Sequence, residues 1–480
     1  MASSTIPTKV DCIILGTGLT SSIVAAACSR IGKSVLHLDK NNYYGDEWAS
    51  FTFQQLIDWI RNKLPGNSSL EAIPEELTLK SRMFCLDLCP RLLYSNGDMV
   101  ELLVKSNVSR YHEFKNNIRI LSIVGREIHV LPCRRSDVFT SPLLSDLVDK
   151  RRLMKFIEMC LEFDPDTSSP ETSDIAKHAD RPIKDFLTGR GLRQTLKEYI
   201  INSIAMVDPT DPTIDACRNI KKFMVATERF GRSPFLFPLY GCGEFPQSFC
   251  RLSAVFGGVY CLNTQIESVK MSTLSQENLD GQPLKERGNF IVKFSNCDHL
   301  VDSDSLVVDY HYAMSLNLMN VPKLDSKVSR AILITRKSVL PNEENLISFL
   351  RIPPGDLNCN LVYFLEFNAS MMVCPPDINI VYLWTKSSSE NPEHDLKPCV
   401  ELVLGADVSE IIWKFYYQQL IGPKNSSVET DEVRGFHITS PPHEDIDYSR
   451  CIQEAEQIFH KICPNQEFLP RAPDPDEIIT

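Results

Sequence analysis

Asp11-Cys12-Ile13-Ile14-Leu15-Gly16-Thr17-Gly18-Leu19-Thr20-Ser21 decides the fold of this chain. Its first five residues form a short, largely apolar run that reads as a buried strand, and the strand runs straight into a glycine turn. Leu19 to Arg30 then carries an Ala-rich helical pattern. Gly32-Lys33 turns the chain into a second strand, Val35 to Leu38, which ends on Asp39. A β-α-β unit with glycines after its first strand and an acid after its second is the layout of dinucleotide-binding folds. In those folds the turn approaches a pyrophosphate and the acid reaches a ribose. Gly16 and Gly18 supply two fingerprint glycines, but Ser21 stands where the third belongs. A Cβ and hydroxyl there interfere with close helix packing and phosphate approach. The fold reading survives this change better than a flavin cofactor does.

Outward from this unit, Lys40-Asn41-Asn42-Tyr43-Tyr44-Gly45 is a polar loop whose two tyrosines cannot both face one core, so one is expected at the surface. Asp46 to Arg82 reads as an insertion with a short helix over Phe53 to Lys63. Strands resume at Ile118 to Ile123 and Glu127 to Leu131, about a turn at Val124-Gly125-Arg126. From Ser136 to about Phe230 the texture is helix after helix. Ser145 to Phe163 and Leu192 to Val207 are periodic, Pro182 opens another helix, and Thr213 is expected to cap one reaching Phe230. Asp164 to Asp180 is a polar loop. Periodicity alone makes this block an ordinary small bundle.

Ser233 to Leu262 is dense in aromatics and broken by Gly and Pro. Phe235, Leu236, Phe237 and Leu239 are expected in an apolar loop around Pro234 and Pro238. Gly241 and Gly243 permit a turn, and Glu244 to Ala254 forms a short helix ended by Gly257-Gly258 before a strand, Val259 to Leu262. A spacing of seven puts Glu244 and Arg251 on one helix face. The stretch is either a loop packed into a core or a rigid surface platform. Beyond it, Thr264 to Phe294 reads as a meander. Leu306 to Asp309, Ser329 to Ile334, Val362 to Phe367 and Ile378 to Leu383 are strands, and Leu402 to Tyr417 and Ile452 to Ile462 are helices. The expected class is α/β (α+β): a FAD-binding-like, Rossmann-type multisheet domain made of residues 1–131 and 226–480, with an all-helical domain, residues 132–225, inserted in it.

At 480 residues and 43% apolar content the chain can fill more than one core. A net charge of −12 with no long basic stretch argues against nucleic-acid binding. The 16 cysteines follow no tight framework, and Cys85-x-x-x-Cys89 lacks a second pair or histidine at zinc spacing, so no metal site is expected. No signal peptide, transmembrane-length run or C-terminal prenylation motif is seen, and a reduced, cytosolic protein without its own lipid is expected. No Gly-x-Ser-x-Gly elbow, His-Glu-x-x-His or Gly-x-x-x-x-Gly-Lys loop occurs, so no catalytic residue is assigned. His37, in a buried strand, reads as a core histidine, and His437 and His443 have no evident partner. A protein that binds another macromolecule fits better than an enzyme.

The wording of three stretches carries a resemblance. Ile14-Leu15-Gly16-Thr17-Gly18-Leu19-Thr20 followed by Val35 to Gly45 is similar to the first signature of the Rab GDP-dissociation inhibitor and escort superfamily. Leu88 to Gly97 with Ser106 to Lys115 resembles the second, and Ser233 to Leu262 the third. The resemblance implies a flavoprotein-like fold that uses no flavin, so Gly16, Gly18, Ser21 and Asp39 would be a vestigial turn and no cofactor is expected. It further implies a Rab-binding platform of Tyr44, Glu244, Arg251, Val259 and Cys261. A mobile, function-modulating loop would cover Arg229 to Pro238, with Arg232, Ser233, Phe235 and Phe237 in it, and an isoprenoid groove would lie in the helical domain. The implied partners are GDP-bound Rab GTPases, unprenylated and prenylated, the geranylgeranyl group, the Rab geranylgeranyltransferase heterodimer and, transiently, a membrane. Within the superfamily, dissociation inhibitors extract prenylated Rab, whereas escorts present unprenylated Rab to the transferase. The insertion after the first signature, Leu92-Leu93-Tyr94-Ser95, Pro132-Cys133 with Ser136 to Phe139, Val255 to Leu262, and Cys463 to Phe468 look like the escort branch. Asp46 for glycine and Phe245 for leucine depart from the usual pattern. A flavin oxidoreductase is the reading from a different class.

Overall fold

Lys9–Leu15 (β1) is buried continuously from Cys12 onward, and a strand covered on both faces belongs inside a parallel sheet. A computed structural model places it there. It describes residues 6–125, 127–133, 137, 146–163, 173–227, 229–277, 283–295, 299–318, 321–405, 408–422 and 433–471. The sheet runs β10 (Val259–Cys261), β2 (Val35–Leu38), β1, β13 (Leu300–Asp309), β12 (Pro283–Phe294) and β11 (Ile266–Glu277), and β19 (Phe436–Thr439) pairs with the end of β13. β10, β2, β1, β13 and β19 pair in parallel, while β12 and β11 add an antiparallel hairpin. Leu15 is in register with Leu38 and Val308. The residues that follow these strands, Gly16 and Asp39, and Asp309 at the end of β13, therefore share the carboxyl edge, where doubly wound sheets bind ligands.

A second sheet runs β18 (Ile411–Leu420), β14 (Lys327–Thr335), β17 (Asn379–Lys386), β16 (Val362–Asn368), β15 (Ile347–Ile352), β7 (Ile118–Val124) and β8 (Glu127–Val130). Only the β15–β7 pair in it is parallel. Helix Pro392–Leu404 covers one face through Leu396, Cys399, Val400 and Val403. Two small ladders join β3 (Ser50–Phe51) to β4 (Leu86–Asp87), and β5 (Leu93–Tyr94) and β6 (Phe114–Lys115) to β9 (Phe235–Pro238). Between β8 and β9 lie the helices, among them Leu147–Glu162, Ile183–Gly189, Gln194–Glu198 and Thr213–Ala226, with a π-helical turn at Tyr199–Ala205.

Four local expectations are corrected. Leu402 to Tyr417 is not one helix: the helix ends at Leu404, and Trp413, Phe415 and Tyr417 alternate inward along β18. That is a strand's period of two. Phe235 to Leu239 is not a loop, because Phe235–Pro238 is a strand buried at every position and paired on both sides. Thr213 does not cap its helix: Pro212 occupies that position, and the Thr213 hydroxyl donates to the Arg181 carbonyl at 2.6 Å. Within the expected polar loop, Ser173–Lys177 is helical. Arg126 of the β7–β8 turn and Ser136, Val138 and Phe139 lie outside the described residues.

Candidate partner-binding surface

At the carboxyl edge the glycine turn closes on the protein itself. Gly16 adopts φ +99°, and a Cβ there would collide with the Asp309 carboxylate. Asp309 Oδ2 accepts the Gly18 N–H at 2.8 Å, and Oδ1 accepts the Thr439 hydroxyl at 2.8 Å and that of Ser21. Ser21 is thus part of the device that fills the turn. Asp39, the acid at the ribose position, is also engaged: Oδ2 accepts the Thr17 N–H (2.9 Å) and hydroxyl (2.6 Å), and Oδ1 the Asn41 N–H (2.8 Å). Burial raises the pKa of Asp309 and pushes that of Asp39 up to about 6. The space left between Gly18, Trp48, Tyr310 and Pro442 is about 20 Å³, room for a single water. A flavin dinucleotide does not fit these residues, because a carboxylate holds the phosphate-binding N–H and the ribose acid is turned onto backbone. His37 is fully buried, its Nε2–H donating to the Gly16 carbonyl at 2.6 Å and its Nδ1 lying 3.1 Å from the Tyr260 hydroxyl. Burial lowers its pKa to about 4, and it is a satisfied core histidine.

The expected platform residues fall into two groups. Helix Glu244–Val255 starts at Gly243, where a Cβ would meet the Ser50 backbone nitrogen at 2.5 Å. Only glycine allows that approach. Ser50 Oγ accepts the Gly243 N–H at 2.7 Å, and Asp87 accepts that of Cys242 at 2.9 Å, so the helix start is fixed by the β3–β4 ladder. Phe245, Phe249 and Leu252 bury the inner face. Glu244, half-buried, and Arg251, exposed, share the outer face as their spacing predicted. Burial raises the Glu244 pKa. The Arg251 guanidinium lies 4.4 Å over the Tyr111 ring, which the second signature contributes. Gln247 was missed. It is exposed on the same face, and its position three after Glu244 and four before Arg251 was the available signal.

The second group is Tyr44 with β10. Gly257, at φ +90°, and the Gly258 N–H bonded to the Ser253 carbonyl (2.9 Å) turn the helix into this edge strand. Val259, Tyr260 and Cys261 are half-buried there. Tyr44 is half-buried, its ring 6.4 Å from that of Tyr260 between the two expected positions. Tyr43 instead packs edge-on to Phe51 at 4.9 Å.

The expected mobile loop is split by the structure. Arg229 and Arg232 are exposed, and Arg229 donates to the Ser95 carbonyl (2.8 Å) and to Glu101 (2.9 Å). Ser233, Phe235 and Phe237 are buried, with the Phe237 ring tilted against that of Phe367 at 4.3 Å. Among the helices, an open groove of about 670 Å³ runs beside Leu147–Glu162; Leu147, Met154 and Met159 line it together with a majority of charged side chains, among them Lys150, Arg151 and Glu158. Among the described residues no three His, Cys, Asp or Glu side chains are grouped to hold a metal, and no helix is long and apolar enough to cross a membrane.

Residues 6–429 match the family model described as GDP dissociation inhibitor. The chain belongs to the GDP dissociation inhibitor family. Among similar proteins of this Rab escort and dissociation-inhibitor group, the Rab proteins geranylgeranyltransferase component A of Drosophila melanogaster is 32% identical, over 99% of this chain and 92% of that protein. Rab GDP dissociation inhibitor beta of Rattus norvegicus is 29% identical, over 82% of this chain and 83% of its own length. The crystal structure of the Rab GDI from Plasmodium falciparum superposes with a TM-score of 0.75 at 23% identity, over 96% of this chain and 100% of that one, and shows the same fold. The multisheet, FAD-binding-like α/β architecture of this family is therefore the architecture of the chain.

Proposed function

We propose that this member of the family is a Rab escort protein, the non-catalytic, substrate-binding component of Rab geranylgeranyltransferase. The observation that carries this reading is coverage. Component A proteins of fly and mouse are similar over 99% of this chain and over 92% and 99% of their own lengths, whereas the rat dissociation inhibitor is similar over 82%. The escort-like stretches, from Leu92-Leu93-Tyr94-Ser95 to the segment after Cys463, support it.

In this reading Tyr44, Glu244, Arg251, Val259 and Cys261 grip GDP-bound Rab. Half-buried Glu244 faces a cationic group of the partner, and Arg251, braced on Tyr111, faces an anionic one. Residues 1–131 and 226–480 form the platform domain. Residues 132–225 form the helical domain, which shelters the geranylgeranyl group and docks the transferase. Burying a twenty-carbon chain at about 0.8 kcal/mol per methylene is a large term, so release requires a membrane that accepts the lipid. The protein works in the cytosol between transferase and membrane.

The test is to mix the chain with unprenylated Rab, the transferase heterodimer and geranylgeranyl diphosphate, and to measure lipid incorporation. An escort supports incorporation at substoichiometric amounts once detergent or acceptor membrane lets it turn over. Incorporation at background, with prenylated Rab still extracted from membranes, assigns the chain to the dissociation inhibitors instead.

A further inference from the structure

We infer that Thr17 and Asp39, residues of the turn that a dinucleotide would occupy, are positioning residues that hold the Tyr44 face of the partner platform. The inference rests on the platform reading of Tyr44 and Cys261 proposed above. Its basis is where the polar groups of the turn go. The Thr17 hydroxyl is a two-way link: it donates to Asp39 Oδ2 at 2.6 Å and accepts the Gly45 N–H at 3.0 Å, both contacts buried. Gly45 follows Tyr44 directly, at φ +99°, and a Cβ there would meet the Ala49 nitrogen at 3.1 Å. The chain leaving Tyr44 therefore has one conformation, and Thr17 fixes it. The chain entering the loop is fixed by Asp39. Its Oδ1 accepts the Asn41 N–H at 2.8 Å, its own N–H donates to the Cys261 carbonyl at 3.0 Å, and its carbonyl accepts the Thr264 N–H at 2.8 Å. Asn41 closes the same loop onto Asn263 at 2.8 Å.

Residues 40–45 are thus clamped at both ends by one threonine and one aspartate, and Tyr44 is held with its ring toward Tyr260. In a dinucleotide-binding protein the equivalent acid faces a ribose. Here both groups face the backbone of the protein's own loop, which gives the turn a use without a cofactor. A tyrosine held this way loses little freedom when a partner arrives, so the clamp acts on affinity through preorganisation.

The experiment uses the full chain and one GDP-loaded Rab protein, with dissociation constants and thermal midpoints measured for Thr17→Val, Thr17→Ser, Tyr44→Ala, Arg251→Ala and the double variants. Thr17→Val leaves the buried Gly45 N–H without its acceptor and is expected to weaken binding about tenfold. Thr17→Ser, which keeps the hydroxyl, should bind within about threefold of wild type. In the Tyr44→Ala background the Thr17→Val effect should vanish, while in the Arg251→Ala background it should persist in full. A merely structural role would give the same loss in both backgrounds. Full additivity of Thr17→Val with Tyr44→Ala, or a Thr17→Ser variant as weak as Thr17→Val, overturns the inference while the platform stands. Wild-type binding by Tyr44→Ala removes the platform reading and this inference with it. Should Thr17→Val not fold, Asp39→Asn, which removes one acceptor oxygen, enters the same cycle.

Discussion

Glu244 is a half-buried carboxylate whose pKa is raised by burial alone. Its charge is disfavoured in the free protein, so a cationic partner group gains what the fold leaves unbalanced. Glu244→Gln should weaken GDP-bound Rab by about 2 kcal/mol. Because the folded pKa lies above the unfolded one, the ionised carboxylate opposes folding at neutral pH, and the thermal midpoint of the variant should be unchanged or slightly higher. A variant that loses midpoint together with affinity would place Glu244 in the fold rather than the platform. Gly16 makes the opposite kind of position. Its φ of +99° and the Asp309 carboxylate against it leave no room for a side chain, and Gly16→Ala should lose about 2–4 kcal/mol of stability in denaturant unfolding. The glycine was legible in the sequence as part of a turn. The group that fills its space was not, since Asp309 lies 291 residues from Gly18 and no local pattern joins them.

β9 shows what local reading gets wrong at the scale of an element. Prolines on both sides and a Gly-rich turn behind it suggest a loop, yet Phe235–Pro238 lies between β5 and β6 with every residue buried. Two prolines are tolerated because the ladders are only two residues long and use few donors. The flanking segment, with exposed Arg229, Phe230 and Arg232, does read correctly as surface. The two halves are separable by experiment. Phe237→Ala removes a fully buried ring packed against Phe367 and should lose about 3–5 kcal/mol of unfolding free energy, whereas Phe230→Ala, 55% exposed, should stay within about 0.5 kcal/mol of wild type. Equal losses would mean the whole stretch is core. β18 differs from expectation for another reason: a helix over Leu402 to Tyr417 would have to cross Gly405, where the helix in fact stops. The alternation of Trp413, Phe415 and Tyr417 with Lys414 and Tyr416 was present in the sequence and points to a strand. The β1–turn–helix–β2 unit was legible because all its determinants are local.

At the scale of the molecule, the carboxyl edge of the first sheet collects acidic side chains. Asp39, Asp46, Glu47, Asp309 and Glu454 arrive there from distant segments. Burial pushes Asp46 and Glu454 up to about 7. Two cations are set against them: Lys40, which interacts with Asp39, Asp46 and Asp309, and His311, which pairs with Glu47 at 3.0 Å. Burial alone would strip its proton, but Glu47, Asp46 and Asp309 together outweigh burial, and its pKa is pushed up to about 9. The sign follows from linkage. A histidine whose folded pKa exceeds its unfolded value of about 6.5 contributes stability that is fully present below that value and is lost as pH rises through about 9. Below pH 7 other groups obscure the effect. His37, His112, His437 and His443, each lowered to about 4, favour unfolding as pH falls, while the raised Asp39, Asp87 and Glu454 oppose them. Between pH 7 and 9 His311 loses its proton, and towards the top of that interval buried thiols such as Cys250, Cys374 and Cys451, which burial pushes up to about 12, add a loss of the same sign. The His311 share of the loss across that interval should be on the order of 2 kcal/mol, read as the difference between the wild-type and His311→Gln unfolding free energies at the two ends. His311→Gln should start lower at pH 7 and show a flatter profile. A variant that declines in parallel with the wild type would assign the alkaline loss to another group and leave the acid cluster balanced by something other than this imidazolium.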